Sequence, residues 1–547
     1  MPDRARYYLT TAIAYANSRP GLHTLYEVVG ADAIARSHRM RGDDTFFLTG
    51  TDEYSVNIAT TARGLGKTPK AFVDEMVELF TAAERGLGIA PDRFIRTTDP
   101  DHVRAVHEMI RRSYARGDLY QGTYEGWYCP NEGFRAPSDL VEDATGVHCP
   151  NHPGVDLQWL TERNWFFRLS AYQERLERYY AEHPGWVQPE YRRNEMLGFI
   201  RQGLEDFSVS REKAPWGIPF PIMPDGSSSQ LPDGSWNPDA GTVYVWFDAL
   251  TNYVTGVGFP DDPERFDRWW PADLHIIGKD INRLHTIMWP AMLMSAGLPL
   301  PREVWVHGWL LVQGERMSKS RGNFLDPQAV VAALGSDGAR YALLREVAFD
   351  RDTDVSWDSF VRRYNADLAN DFGNLVNRSL SMTARYLDGE RPQPGDAGEA
   401  RLAAAWKDAL TAYRAKLDAC LLHDALAALW EFVGAANRFV DAEQPWVLAK
   451  AARAGDEEAA GRLRGVLGDL LEACRLVGLA AAPVIPQTAP RIAVQLGVEY
   501  PYRDDGNGGP PLDTLLEWGS GPVGGRIGTP APLFPRLETE AELSPDA

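Results

Sequence analysis

The chain has 547 residues, of which 44% are hydrophobic and 24% are charged, and its formal net charge is −20. This length exceeds what one hydrophobic core can organise, so we expect roughly two to four domains. The composition is typical of a globular protein and excludes an intrinsically disordered chain. The acidic balance excludes diffuse attraction to nucleic acid over the whole surface, although a local basic face would still hold such a partner.

The sequence predicts neither a membrane protein nor a secreted one. No run approaches the roughly eighteen consecutive apolar residues of a spanning helix. The N-terminus, MPDRARYYLTT, enters a strand-like pattern by Tyr7, so we expect no signal peptide. Four cysteines are too few for a disulfide framework in so long a chain and favour a reducing, cytoplasmic setting. Cys420 and Cys474 lie in helical patterns, where we expect buried apolar residues.

The start of the chain predicts a βαβ unit. A strand over Tyr7–Asn17 is followed by a turn at Pro20–Gly21 and by a helix whose apolar residues recur at helical spacing. A second strand, DTFFLTGTDE, ends in the polar residues Thr51, Asp52 and Glu53. This order favours a doubly wound parallel sheet with its ligand crevice at the carboxyl ends of the strands.

Strand-like runs return only after a long insertion. They are predicted over Thr242–Leu250, Leu274–Ile281 and Val304–Leu311. From about residue 358 the sequence is Ala- and Leu-rich with a helical pattern, and beyond 496 its Gly, Pro and acidic residues predict a tail that wraps or frays. We therefore predict two sheet halves, 1–116 and 241–357, an insertion, 117–240, a helical domain, 358–496, and a tail, 497–547.

A loop rich in cations and hydroxyls follows the last of these runs. Residues 312–324 have the sequence VQGERMSKSRGNF. Lys and Arg side chains neutralise charge that develops on a departing pyrophosphate, while hydroxyl and N–H groups fill its remaining acceptor sites. A Ser- and Lys-rich turn by itself is usually a solvated loop, so the phosphate interpretation depends on other motifs of the chain.

This loop resembles the KMSKS motif of class I aminoacyl-tRNA synthetases, with Arg316 in place of the first Lys. Segments along essentially the whole chain are similar to the methionyl-tRNA synthetase family of that class: YYLTTAIAYAN, FFLTGTDE, YEGWYC, NWFFRLS, SREKAPWGIPFP, VYVWFDAL, IIGKDINRLH, NLVNR, QPWVLAK and PLFPRLE. The resemblance implies a Rossmann-type parallel sheet split by a connective insertion and followed by an α-helical anticodon-binding bundle. It also implies methionine, tRNA and ATP with Mg²⁺ as reactants.

The resemblance implies a methionine pocket at the end of the second strand. Asp52 would hold the substrate ammonium in a charge-assisted pair. Aromatic walls would suit the thioether, because sulfur–ring contacts contribute roughly 0.3–1.5 kcal/mol. An apolar pocket distinguishes one methylene by only about 1–3 kcal/mol, so the pocket alone does not select methionine. The implied side-chain pocket consists of Ile13, Tyr15, Trp246, Ala249, Tyr253, Ile281 and His285, several of which would otherwise be interpreted as ordinary core residues.

Two nucleotide motifs depart from the family. The helix after the first strand usually opens with HIGH, whose histidines meet the α-phosphate at a helix N-terminus. Counted without a gap, its four positions are Gly21, Leu22, His23 and Thr24. If the turn is one residue shorter, His23 takes the second His position, and we favour this alignment. The TDEHG segment is altered to TDEYS, with Tyr54 in place of its His.

Other nucleotide residues of the family are retained. The resemblance assigns Lys319 and Arg316 to the leaving pyrophosphate and His23 to the α-phosphate. It assigns Asp280 to the ribose hydroxyls and Gly278, Asp280 and Lys319 to ATP binding. Loss of one transition-state donor costs about 2.7–4 kcal/mol, so the loss of both histidines would leave adenylation very slow.

The insertion carries residues with zinc-ligand spacing. Two residues separate Cys129 from Glu132, and two separate Cys149 from His152. Zinc prefers four tetrahedral ligands drawn from Cys, His and carboxylates, although the family has Cys at the position of Glu132. Two interpretations stay open: one Zn²⁺ bound by all four residues, or a relic knuckle held by packing alone.

Three residues of the helical region match positions that the family uses to recognise a CAU anticodon. NLVNR places Asn374 and Arg378 four residues apart, on one helix face. QPWVLAK places Trp446 at a helix start after a Pro. The resemblance assigns base stacking to Trp446 and hydrogen bonds with base edges to the other two.

These observations support three hypotheses. The leading one is a cytoplasmic, ATP-dependent methionine–tRNA ligase. The second, prompted by the altered HIGH and TDEHG motifs, is a diverged paralogue that passes an activated amino acid to a small-molecule acceptor, such as a hydroxylamine in hydrazine or N–N bond synthesis. The third is a catalytically inactive tRNA-binding protein.

Overall fold

The structure is a computed structural model and describes residues 4–129, 133–135, 140–143, 146–150, 154–212, 214–317, 325–394 and 401–537. Its main sheet has the strands β1 (Arg6–Thr11), β2 (Ala14–Tyr15), β3 (Asp44–Asp52), β4 (Arg93–Arg96), β10 (Val187–Gln188), β14 (Leu274–Gly278) and β15 (Val304–His307). The strand order is β10-β15-β14-β1-β3-β2, and β4 also pairs with β3. All of these pairings are parallel, which confirms the predicted sheet.

The first crossover helix explains why the βαβ pattern was visible in the sequence. Helix α1 (Leu22–Arg41) connects β1 to β3 and packs against both strands. It ends at Gly42, whose φ of 97° is a left-handed conformation that glycine adopts without steric cost. The apolar residues predicted for its buried face are all in the core: Leu25, Val28, Val29, Ala33 and Ile34.

The sheet has a topological switch point at β1. The chain goes from β1 to β3 on one side, and β14 returns to pair with β1 on the other side. Ligand crevices in such sheets lie at the carboxyl ends of the strands beside the switch point. The helices around this sheet are α2 (Val56–Gly64), α3 (Pro69–Gly86), α4 (Pro100–Ala115), α9 (Pro263–Trp269), α10 (Trp289–Ala296) and α11 (Pro327–Glu346).

The predicted insertion is a mainly antiparallel unit between β4 and β14. Its largest sheet has the order β11-β9-β5-β6, and β7 and β8 form a hairpin. One insertion strand, β10, pairs with β15 and so extends the main sheet. The elements are β5 (Leu119–Cys129), β6 (Gly133–Arg135), β7 (Val141–Asp143), β8 (Gly146–His148), β9 (Gln158–Phe167), α5 (Gln173–Glu182), α6 (Glu190–Ile200), β11 (Phe207–Ser208), and β12 (Ser210–Arg211), which pairs with β13 (Thr242–Val243).

The strand predicted over Thr242–Leu250 is wrong beyond its first two residues. After β13 the chain forms two short helices, α7 (Val245–Leu250) and α8 (Asn252–Thr255). Most residues of both helices are buried, and a short apolar run that is buried all round has no period to distinguish helix from strand.

The other downstream strands were predicted too long. Residues Lys279–Ile281 form a 3₁₀ turn after β14, and Gly308 and Trp309 separate β15 from β16 (Leu310–Val312). A π-helical turn, Leu284–Met288, then leads into α10. At the N-terminus, Ala12 and Ile13 likewise separate β1 from β2. In each case the chain leaves the sheet at its carboxyl edge.

The helical region is confirmed. It contains α12 (Trp357–Arg363), a π-helical segment (Tyr364–Gly373), α13 (Asn374–Tyr386), α14 (Arg401–Asp418), α15 (Leu422–Glu443), α16 (Pro445–Arg453), α17 (Glu457–Ala481) and α18 (Thr488–Leu496). Cys474 is buried in α17 as expected, whereas Cys420 is buried in the turn after α14, with a φ of 54°. One hydrophobic core joins α1, α11 and this region, because their buried residues are in continuous contact.

The predicted tail wraps along its described length. It contains the short helix α19 (Leu512–Leu515) and buries apolar side chains against the helical region: Tyr502, Leu512, Leu516, Leu533 and Phe534. Among the described helices of the whole chain, none is both long and apolar enough to cross a membrane.

Candidate active site

A cavity of about 930 Å³ lies at the carboxyl edge of the main sheet. It opens where β1, β3, β14 and β15 end, which is the place expected from the switch point. The structure brings together there the candidate residues of both substrates: Ile13, Tyr15, His23, Asp52, Trp246, Ala249, Tyr253, Gly278, Asp280, Ile281 and His285. These residues come from distant parts of the sequence and form a single site.

Asp52 provides the buried negative charge of this site. It is the last residue of β3, is 6% exposed, and its Oδ1 lies 3.4 Å from the backbone N–H of Tyr54. Burial, followed by the charges of Asp248 and Glu53, raises the pKa of Asp52 well above its ordinary value. Among the described residues no Lys, Arg or His forms an ion pair with Asp52. An ammonium group would supply the missing positive charge.

The two neighbouring carboxylates already have partners. Glu53 accepts hydrogen bonds from Arg96, at 2.6 Å from Nε and 2.9 Å from Nη2. Asp248 lies 2.7 Å from Nε2 of the buried His102. Neither partner was predicted from the sequence, because both lie on elements that meet the carboxylates only in the folded chain.

The side-chain pocket contains a defined hydrogen-bond relay. His285 Nδ1 lies 3.0 Å from the carbonyl oxygen of Ile281, which only accepts, so Nδ1 carries the proton of a neutral ring. Burial lowers the pKa of His285 to about 4, which keeps the ring neutral. Its Nε2 therefore accepts from the hydroxyl of Tyr253 at 2.6 Å. The relay satisfies both groups internally, so the pocket presents mainly rings and aliphatic groups.

Tyr54 and Ser55 of the altered TDEYS segment make contacts at the entrance of the cavity near Asp52. The ring of Tyr54 lies 4.9 Å from that of Trp216, whose Nε1 donates to the carbonyl of Glu53 at 2.7 Å. Ser55 caps α2 by accepting the N–H of Ile58 at 3.0 Å, and its hydroxyl also bonds to that of Tyr15. Tyr54 and Ser55 therefore replace family residues with groups that pack and hydrogen-bond at the entrance.

The residues predicted to bind the nucleotide lie at the start of α1 and in the turn after β14. Gly21 is the N-cap of α1 and has no side chain to cap the helix, and His23 is an exposed first-turn residue that lines the cavity. Gly278 ends β14, and Asp280 lies in the following turn. Of the loop residues, Arg316 belongs to β17 (Glu315–Arg316), and Lys319 lies outside the described residues.

Several polar residues that were not predicted from the sequence also line the cavity, among them Arg211, His307 and Glu27. Arg211, on β12, lies in the family-like segment SREK, so a signal for it was present in the sequence. His307 and Glu27 form a buried pair with Nε2 and Oε2 2.8 Å apart. Their signal was weak: a histidine inside an apolar strand and a glutamate on the buried face of a helix.

The knuckle is described only in part. Cys129 ends β5 and Cys149 follows β8, and both are buried. Glu132 and His152 lie outside the described residues. Within the described ranges there is no group of three or more His, Cys, Asp or Glu residues arranged to hold a metal. The two buried thiols fit the soft donor set of zinc, and the other two ligands stay predictions.

The three anticodon candidates lie on neighbouring helices. Asn374 and Arg378 are on α13, and Trp446 is the second residue of α16, where it is 42% exposed. Helices α13 and α16 are in contact. Arg378 Nη2 lies 3.2 Å from Asp441 Oδ1, so this guanidinium is oriented by a carboxylate. An exposed indole can stack on an unpaired base, and an oriented guanidinium on the contacting helix can bond the edge of a base.

Comparisons with known proteins agree along the chain. The family described as "tRNA synthetases class I (M)" matches residues 7–380, and the "Anticodon binding domain of methionyl tRNA ligase" matches residues 391–540. A methionine–tRNA ligase of Caldanaerobacter subterraneus subsp. tengcongensis is 42% identical over 98% of this chain and 80% of its own length. One of Mycobacterium tuberculosis strain H37Rv is 45% identical over 90% of this chain and 92% of its own length.

Solved structures show the same similarity. Mycobacterium tuberculosis methionyl-tRNA synthetase in complex with methionyl-adenylate has a TM-score of 0.87 and 41% identity, covering 97% of this chain and 100% of that one. The apo form of the same organism's protein has a TM-score of 0.81 and 39% identity, covering 98% and 99% of the two chains.

Proposed function

This chain belongs to the methionyl-tRNA synthetase family, and we infer that it is an ATP-dependent ligase that joins methionine to tRNA. The observation that carries this function is the cavity at the switch point. It contains a buried carboxylate for an amino acid's ammonium group, an aromatic side-chain pocket and the turns that face a nucleotide. The reaction proceeds through methionyl-adenylate and releases pyrophosphate.

We propose that Asp52 fixes the ammonium group and that the pocket around Tyr253 and His285 takes the thioether. This orientation directs the methionine carboxylate toward the α-phosphate of ATP. A carboxylate oxygen then bonds to the α-phosphorus as the bond to the bridging oxygen of pyrophosphate breaks. Binding both reactants in one geometry supplies much of the rate, because an intramolecular arrangement removes the entropy of encounter.

The charge that develops on the phosphates needs donors. The first-turn N–H groups of α1 and His23 would serve the α-phosphate, and Lys319 with Arg316 would serve the leaving pyrophosphate. Gly278 and Asp280 would hold the ribose. Mg²⁺, when bound to the triphosphate, neutralises charge on its oxygens.

In the second step a ribose hydroxyl at the tRNA 3′ end attacks the adenylate carbonyl and AMP leaves. We propose that Trp446, Asn374 and Arg378 select the tRNA through a CAU anticodon. The exposure of Asn374 and Trp446 and the contact between α13 and α16 support this assignment. The match of residues 391–540 to an anticodon-binding domain favours tRNA over the small-molecule acceptor that the altered motifs had suggested.

We also propose one Zn²⁺ in the insertion, held by Cys129, Glu132, Cys149 and His152. Bound there, zinc would cross-link the knuckle and take no part in the chemistry. A cytoplasmic location and the five domain ranges given above remain our proposals, supported by the low cysteine content and by the order of the elements.

The function is tested by two assays on the pure full-length chain with Mg²⁺. We expect methionine to be the best of the twenty amino acids in ATP–pyrophosphate exchange, and we expect a CAU tRNA to be charged. Exchange without charging would support the small-molecule acceptor. Tight tRNA binding with neither activity would support an inactive binding protein.

A further inference from the structure

The pair formed by His307 and Glu27 has no role in the mechanism above, although both side chains line the cavity. His307 ends β15 and Glu27 lies in the second turn of α1, so the pair joins two elements on different sides of the crevice. In the sheet register, His307 lies beside Gly278, one of the proposed nucleotide residues. The pair therefore lies in the wall of the proposed site, next to one of its nucleotide residues.

The hydrogen bonds of His307 leave its ring no N–H group for a substrate. Nδ1 lies 2.7 Å from the carbonyl oxygen of Gly308, and Nε2 lies 2.8 Å from Glu27 Oε2. The ring also stacks on Phe349 and meets Tyr26 edge-on, with centroids 5.6 Å away in both cases. Although burial opposes it, the hydrogen bond and charge of Glu27 raise the pKa of His307. Glu27 is the polar side chain through which His307 is connected to the rest of the site.

The other oxygen of Glu27 holds the backbone where β1 ends. Glu27 Oε1 accepts the N–H of Ala12 at 2.7 Å, and that N–H also lies 3.1 Å from the carbonyl oxygen of Ile276 in β14. Ala12 is followed by Ile13, which lines the amino-acid pocket. Glu27 thus connects the methionine side of the cavity to the helix whose start faces the phosphates.

The position of His307 is itself constrained. A Cβ on the next residue, Gly308, would lie 2.1 Å from the carbonyl carbon of Arg351, so the chain after β15 packs directly on another backbone segment. Only glycine permits this approach. The backbone beside His307 is therefore closely packed, and His307 in turn positions Glu27, which bonds to Ala12.

We propose that His307 and Glu27 form a brace that aligns the Ala12–Ile13 backbone with the start of α1, and that adenylate formation depends on this alignment. His307 is then a positioning residue for the reaction and touches neither substrate. The inference rests on the proposed function, because it assigns the brace to the step between methionine and ATP. Misplacement of reacting groups by about 1 Å costs on the order of 100-fold in rate.

The test measures methionine-dependent pyrophosphate exchange in the full chain. We expect His307→Leu to lower kcat by about 10- to 100-fold, while the KM values for methionine and ATP change by less than about threefold. His307→Gln keeps an N–H donor and should recover most of the loss. The double variant His307→Leu, Glu27→Leu should be no slower than Glu27→Leu alone, because a brace is already lost when one partner is removed.

His38 provides a matched control on the same helix. Its Nδ1 pairs with Asp43 at 2.7 Å, far along α1 from the cavity, so His38→Leu should leave kcat unchanged. A normal kcat in His307→Leu, a change in KM alone, or losses that multiply in the double variant would each overturn the proposal.

A second measurement separates the brace from the proposed function. Amide hydrogen exchange at Ala12 and Ile13 should be faster in His307→Leu than in the parent chain or in His38→Leu. Unchanged protection there would contradict the brace even if the enzyme were active. Absence of methionine-dependent ATP–pyrophosphate exchange in the parent chain would instead reject the proposed function. The amide protection at Ala12 and Ile13 would still show whether the brace exists.

Discussion

At the scale of single residues, the distribution of buried charge decides what the cavity can bind. Three carboxylates lie close together. Glu53 is paired with Arg96, and Asp248 is hydrogen-bonded to His102, whose ring stays neutral because burial lowers its pKa to about 4. Asp52 alone is left for a ligand among the described residues. A buried carboxylate without a cation is unstable unless it is protonated or paired, so the site favours a substrate with an ammonium group.

Asp52→Asn should abolish this selection. Removing one partner of a buried, hydrogen-bonded charge pair costs about 2–5 kcal/mol, so kcat/KM for methionine in pyrophosphate exchange should fall by at least about 30-fold. Asp239→Asn, in an exposed turn of the insertion, is the control and should have no effect. Equal activity of the Asp52→Asn variant and the parent would contradict the proposed role.

The same group sets the expected pH dependence. Because the pKa of Asp52 is raised, a proton competes with the ammonium group at pH values above the ordinary aspartate range of about 4. In the parent, kcat/KM for methionine should therefore fall as the pH decreases through mildly acidic values, and this limb should disappear in Asp52→Asn. Because the pKa of Asp52 is raised in the folded chain, the substrate-free protein loses stability as the pH rises and Asp52 ionises. A bound ammonium group offsets this loss.

At the scale of elements, a hairpin at the edge of the cavity precedes the predicted cationic loop in the sequence. Strands β16 and β17 pair as a hairpin, and β16 also pairs with β18 (Thr353–Asp354). Leu310 and Met317, on either side of the hairpin, line the cavity. Residues 318–324, which carry Lys319, lie outside the described part of the chain but begin directly after Met317. The described residue that precedes the loop, Met317, therefore lies at the edge of the cavity.

Lys319→Ala should lower kcat by about 10²- to 10³-fold with little change in the KM for methionine. The pyrophosphate contact strengthens in the transition state, and such contacts appear in kcat. Steady-state exchange kinetics with both substrates varied would measure this. Lys407→Ala, at an exposed position of α14, is the control. A raised methionine KM with an unchanged kcat would exclude the assignment.

The knuckle supports a prediction about metal content. Elemental analysis of protein purified without chelators should find at most one zinc per chain. Glu132→Cys should tighten zinc binding, because thiolate is the softer donor and completes a set that already has two buried cysteines, Cys129 and Cys149. Absence of zinc from both proteins would favour a relic knuckle held by packing.

At the scale of the whole molecule, one buried arginine joins the sheet to the helical region. Arg340, on α11, is 0% exposed, and its Nη2 lies 2.7 Å from Asp32 of α1. It also donates to the carbonyl oxygens of Leu87, Pro483 and Val484, at 3.1, 2.8 and 2.9 Å. These partners belong to the end of α3 and to the corner between α17 and α18.

Arg340→Met should destabilise the fold by about 3–5 kcal/mol, because it leaves buried acceptors and part of the Asp32 charge without a partner. Urea unfolding followed by fluorescence would show this as a lower midpoint. The control is Arg104→Ala, which removes an exposed ion pair with Asp261 at 2.7 Å and should cost no more than about 1 kcal/mol. Similar midpoints for the two variants would contradict the role of Arg340.

Trp446 lies on α16 of the helical region and the cavity lies at the edge of the main sheet, so tRNA selection can be tested separately from adenylate formation. Trp446→Ala removes one stacking platform, worth about 1–3 kcal/mol, so charging of a CAU tRNA should fall by roughly 10- to 100-fold. Pyrophosphate exchange should be unchanged, because the cavity lies in the sheet domain. Efficient charging that ignores Trp446, Asn374 and Arg378 altogether would show that tRNA identity is recognised elsewhere.

Features that depend on residues close together in the sequence could be predicted from the sequence alone. The βαβ start, the helical region and the position of Trp446 at a helix start follow from local periodicity and turn residues, and the structure has them where they were predicted. Family-like segments also supplied the eight residues proposed for the amino-acid site, and all eight line one cavity. Periodicity is a short-range property, so it is legible without tertiary contacts.

Features that depend on distant residues became visible only in the folded chain. Val245–Leu250 is a helix, which could not be predicted because most of this short apolar run is buried and its sequence has no clear period. The tertiary structure joined His307 to Glu27 across 280 residues of sequence, and among the described residues it placed a cation on Glu53 but none on Asp52. Charge pairing and burial depend on which elements meet in space, and no local pattern specifies that meeting.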